Sequence, residues 1–116
     1  MEYDSRTPIY LQVADMLKLR MVRGELRPGG KLPSTRALAL EYGVNPNTAA
    51  RIYDEMEALG LCRTERGLGT FMTNDESVVR ALRRQMAEKL ARDFVREMTA
   101  LGYTKEQMKQ AIGEEL

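Results

Sequence analysis

The chain has 116 residues, 43% of them hydrophobic, which suits one compact domain with a short extension and excludes two large ones. A single cysteine, Cys62, excludes an intrachain disulfide, and the lack of histidine removes the commonest metal ligand and acid–base group, so no cofactor and no enzyme is expected. Formal net charge is only +1, with ten Lys and Arg against nine Asp and Glu up to Thr73 and eight against eight beyond it, so any electropositive surface must come from placement.

No apolar run approaches the roughly 18 residues that span a bilayer, and Met1-Glu2-Tyr3-Asp4 lacks a signal pattern, so the expected compartment is the cytoplasm. Thr7-Pro8 reads as an N-cap followed by proline at the first helical position. Ile9, Val13, Leu17 and Met21, with Ala14, then make one apolar face of a helix that should stop near Arg23-Gly24. Gly24-Glu25-Leu26-Arg27-Pro28-Gly29-Gly30-Lys31-Leu32-Pro33 is a connector anchored by Leu26 and Leu32.

Ser34 supplies a cap oxygen for a short helix from Thr35 to Tyr42, with Leu38, Ala39 and Tyr42 inward. Gly43 ends it, Val44 packs in the turn, and Asn45-Pro46 starts a third helix that runs to about Leu59. Its expected buried stripe is Ala49, Ile52, Tyr53, Met56 and Leu59. Two short helices joined this tightly make a helix-turn-helix. Leu61 to Glu65 and Thr70 to Thr73 flank Arg66-Gly67-Leu68-Gly69 as a hairpin, with Cys62 a small buried residue on its first strand.

Asn74 or Asp75 then caps a long helix to about Leu101, and the capping-box pattern Thr104-Lys105-Glu106-Gln107 starts a last one. The expected fold class is therefore mainly α with a small β-hairpin. A winged helix-turn-helix domain over residues 1–73 is followed by a two-helix C-terminal tail over 74–116. In that tail Leu82, Met86, Leu90, Phe94 and Met98 recur at helical spacing, an apolar stripe that asks for a partner. Pairing with a second copy is the economical solution, and folding back onto the chain's own domain is the other. An effector wedged between two tails is compatible with this, but no residue cluster points to one.

In a helix-turn-helix the start of the second helix enters the major groove, which here carries Asn47 and Arg51 one turn apart and Thr48 at the edge. Arg can bind guanine bidentately and Asn adenine, so this pair is the expected base reader. Asp54 and Glu55, a turn further on, mark the limit of insertion. Arg36 is placed to meet a phosphate or a base edge beside the groove, Ser34 and Thr48 can donate to phosphate oxygens, and Arg66, Gly67 and Gly69 bring an arginine and close backbone into the adjacent minor groove or onto its phosphates. The plain alternatives are a second cap residue for Asn47, a solvated charge for Arg51 and a salt bridge to Glu41 for Arg36. Sequence-specific regulation by binding a double-stranded DNA operator is the first functional reading; a winged-helix protein-interaction module without DNA binding is the second.

Gly24-Glu25-Leu26-Arg27-Pro28-Gly29-Gly30-Lys31-Leu32-Pro33-Ser34-Thr35-Arg36, Gly43-Val44-Asn45-Pro46-Asn47-Thr48 and Arg66-Gly67-Leu68-Gly69-Thr70-Phe71 together resemble the GntR family of bacterial regulators over about Pro8 to Thr73. The resemblance implies DNA contacts from Arg36, the start of the third helix and the wing glycines. Many relatives carry arginines where this chain has Pro46 and Ala50, so their base-reading arginines do not carry over. Val44-Asn45-Pro46-Asn47-Thr48 is similar to the YtrA-type subfamily, which implies a short helical tail and a dimeric repressor, often of operons for ABC-type transporters.

Overall fold

Residues 3–116 are described by a computed structural model. It contains α1 (Ile9–Val22), α2 (Thr35–Tyr42), α3 (Pro46–Ala58), strands β1 (Cys62–Glu65) and β2 (Gly69–Met72), α4 (Glu76–Ala100) and α5 (Lys105–Glu115). The mainly helical class with one antiparallel hairpin is as the sequence patterning predicts. No helix of the described residues is long and apolar enough to cross a membrane.

The chain forms two compact units, one ending at Leu82 and the other Arg83–Leu116. In the first, the three helices and the hairpin close on a core of Val13, Leu17, Met21, Leu38, Ile52, Met56, Leu61 and Met72, all essentially without solvent contact. Burying each such side chain stabilises the fold by roughly 1.5–3 kcal/mol. Leu82, expected at the head of the tail's apolar stripe, instead belongs to this unit: on the second turn of α4 it is buried in the unit's core and is not open to a partner.

Capping explains where α2 and α3 begin. Ser34 Oγ accepts the Ala37 amide at 3.0 Å, and Asn45 Oδ1 accepts that of Thr48 at 2.8 Å, with Pro46 opening α3. Gly43 takes the left-handed conformation (φ 66°) in which its own amide bonds Ala39 O, and the Val44 amide reaches the same carbonyl at 3.0 Å. That turn swings α3 across α2.

Two expectations shift. Thr7 does not cap α1: Pro8 keeps an extended ψ of 137° and is itself the capping residue, without a side-chain cap, which puts Thr7 one residue outside the cap position; the Gln12 side-chain amide donates to the carbonyls of Asp4 and Thr7. Leu59 is not part of the buried stripe but 58% exposed, since it is the residue at which α3 ends and lies past the last inward position, Met56.

The connector before α2 is more ordered than its glycines suggest. Lys31 bridges Phe71, the Leu32 amide donates to Thr70 O at 2.8 Å and the Met72 amide to Gly30 O at 2.9 Å, so this segment lies along β2 as a third, short strand-like edge. In the second unit, α5 opens with the expected capping box: Thr104 Oγ1 accepts the Gln107 amide and Gln107 Oε1 accepts that of Thr104.

Candidate nucleic-acid interface

The expected site residues fall on three elements of the first unit: the start of α2, the start of α3 and the hairpin loop. Ser34 and Arg36 are exposed at the start of α2. Ser34 Oγ is used as a cap acceptor, which leaves its hydroxyl proton free to donate to a phosphate oxygen. Arg36 has no ion pair among the described residues, and Glu41 is taken by Arg20, at 3.1 Å. Arg20 also bonds the Tyr42 hydroxyl at 3.1 Å and so ties α1 to the end of α2.

On α3, Asn45 does the capping, so Asn47 is left as an exposed amide with no intramolecular hydrogen bond among the described residues. Thr48 is half-buried beside it. Arg51 occupies the same outward strip as Asn47, but its guanidinium lies 3.8 Å over the Tyr10 ring of α1 and its Nε is 3.5 Å from Glu55 Oε1. Asn47 is therefore free to meet an outside partner, whereas Arg51 leans toward α1.

The hairpin pairs Cys62 with Met72 through Glu65 with Gly69, leaving Arg66, Gly67 and Leu68 as its loop. Arg66 projects into solvent without an ion pair among the described residues, unlike Arg63, which pairs with Glu65 at 3.0 Å and sits over the Phe71 ring. Gly69 is required by its backbone: a φ of +125° is strained for any side chain, whereas the Lys31 Cε that a Cβ would meet at 2.8 Å lies at the movable end of a flexible side chain.

That contact identifies Lys31 as a residue sequence reading missed. It lies alongside the wing, exposed and without a carboxylate partner among the described residues. No local signal marked it, because its place beside the wing is set by the bridge to Phe71. Arg36, Lys31 and Arg66 thus remain unpaired cations around α2 and the wing, while Arg20, Arg23 and Arg63 are paired. This placement supplies the positive surface that bulk charge does not.

Cys62 plays no part in this surface. Burial, followed by the nearby Glu57 and Asp54, pushes its thiol up to about 11, so it stays protonated. Tyr53 is held by its hydroxyl donating to Pro33 O at 2.5 Å, which fixes the entry to α2 against α3.

A tight two-helix turn, free polar groups at the start of its second helix and a glycine-built wing define a winged helix-turn-helix DNA-binding transcription regulator. The family described as "Bacterial regulatory proteins, gntR family" matches residues 9–72, and the chain belongs to it. It is 46% identical over 111 residues to the HTH-type transcriptional regulator YhcF of Bacillus subtilis (strain 168), covering 96% of this chain and 92% of YhcF. Over 71 residues it is 42% identical to the HTH-type transcriptional repressor YtrA of the same organism, a match covering 61% of this chain and 55% of YtrA. Among solved structures, a GntR family transcriptional regulator from Listeria monocytogenes superposes with a TM-score of 0.90 at 34% identity, covering 97% of this chain and 98% of that one.

Proposed function

We propose that the protein is a dimeric, cytoplasmic repressor that binds an operator near its own gene and silences a neighbouring operon. The start of α3 enters the major groove, where Asn47 meets a base edge and Arg51 lies beside it. Ser34, Arg36 and Thr48 hold the flanking phosphates, and Arg66 with the Gly67 and Gly69 backbone meets the adjacent minor groove. The observation that carries this reading is that Asn47, Arg36 and Arg66 are exposed and free of intramolecular partners among the described residues, at three places a duplex can touch together.

Pairing of two tails through Met86, Leu90, Phe94 and Met98 sets two reading helices on half-sites about one DNA turn apart, or a multiple of that. The repressor role is supported by the 42% identity to YtrA, itself described as a repressor. Fluorescence anisotropy on DNA from upstream of the protein's gene tests the proposal. Wild type should bind at moderate salt, while Arg36→Ala and Arg66→Ala each weaken binding to every sequence and lower the log–log salt slope by about 0.9 per lost phosphate contact. Undetectable binding by a folded wild-type protein would favour an interaction module instead.

A further inference from the structure

Tyr10 and Arg51 meet in a place the DNA-reading account does not use. Between the start of α1 and the helix-turn-helix turn lies an open groove of about 410 Å³ lined by Ile9, Tyr10, Gly43, Val44, Asn45, Thr48 and Arg51. Its polar side chains bring together a phenol hydroxyl, a threonine hydroxyl and a guanidinium, all able to donate, at the N-terminal end of α3, where the helix dipole adds positive character.

The guanidinium leans on two partners. One face rests 3.8 Å from the Tyr10 ring, and Nε is turned to Glu55 at 3.5 Å. What is left free is the outer Nη1–Nη2 edge, the fork that suits two oxygens of one phosphate. A base edge deep in the major groove would have to pull Arg51 off both partners. A backbone phosphate at the groove rim would not.

We infer that this groove is a site for a DNA backbone phosphate, in which Tyr10 is a positioning residue that holds Arg51 over its ring and away from the base edges. The inference rests on the DNA-binding reading above and deepens it: Asn47 is left as the base reader of α3, and Arg51 joins Arg36 and Arg66 in setting affinity.

The test uses the duplex that the full-length wild type enriches from a randomised library, together with its single-base variants, in anisotropy titrations over a salt series. Arg51→Ala should weaken binding about tenfold on all of these duplexes alike, the size of one charge-assisted hydrogen-bonded contact, and lower the salt slope by about 0.9. Tyr10→Leu, which keeps apolar packing but not the aromatic face, should reproduce that pattern. The double variant should be little worse than either single one, and Tyr10→Phe should stay near wild type. Circular dichroism melting checks that each variant is folded.

Two results would overturn the inference while leaving DNA binding intact: loss of preference at one base pair in Arg51→Ala with the salt slope unchanged, or wild-type behaviour in a folded Tyr10→Leu. Failure of the wild type to enrich or bind any duplex would remove the DNA-binding reading itself, and the phosphate site with it.

Discussion

The unit ending at Leu82 and the unit Arg83–Leu116 solve the same problem of apolar residues in opposite ways. In the first, Leu17, Leu38 and Ile52 have no solvent contact at all. In the second, Leu90 and Leu101 are each 71% exposed, and among its described residues none is buried. The first unit satisfies its own pattern through cross-element packing, whereas the second presents an exposed stripe at helical spacing with no buried residue among those described. Local order does not distinguish them, because the tail helices are well capped and laced by pairs such as Lys89–Asp93 at 2.9 Å.

That contrast can be broken by mutation. Ile52→Ala should cost about 2–5 kcal/mol in urea unfolding, the range for emptying a core site. Leu90→Ala should leave the unfolding of the first unit unchanged. If both variants cost the same under conditions where the protein is monomeric, the contrast is wrong. Leu90→Glu combined with Phe94→Glu sharpens the other side of it: two charges set into the proposed tail interface should convert the dimer to monomer in sedimentation equilibrium and weaken operator binding, with the melting of the first unit retained. A doubly substituted protein that still dimerises would sink the tail assignment.

Smaller effects test the site's scaffold. Gly69→Ala places a side chain at φ +125° against Lys31 and should cost about 1–3 kcal/mol. Ser34→Ala removes the α2 cap and should cost about 1 kcal/mol, read from the shift in urea midpoint. For Cys62 the buried, raised thiol predicts negligible alkylation by iodoacetamide at pH 8 in the folded protein and rapid alkylation in urea. Since burial raises this thiol's folded value above its ordinary one, its contribution to stability is full below about 8.5 and is lost as pH rises toward about 11.

The elements were legible in sequence because their signals are local. Ser34, Asn45-Pro46 and Thr104 through Gln107 cap helices by contacts within three residues, and each acts as its spacing predicts. Features that depend on what comes from elsewhere in the chain were not legible. Thr7-Pro8 has the form of a cap, yet Pro8 stays extended and the helix starts one residue later. Leu59 fits the stripe by period and fails it because the helix ends there.

The same division runs through the candidate site. Asn47, Arg36 and the wing loop could be named from turn and cap positions alone. Lys31 could not, because its place beside the wing depends on pairing with Phe71, forty residues on in the chain. Nor could the lean of Arg51, which is set by an aromatic ring on α1.

The most direct test of the account is to let the folded, full-length protein select from a randomised duplex library and to read the enriched sequences. Two inverted half-sites, centred one DNA turn or a multiple of it apart and losing a preferred base when Asn47→Ala is used, are the predicted result. Enrichment of no sequence by a protein whose fold is intact would contradict it.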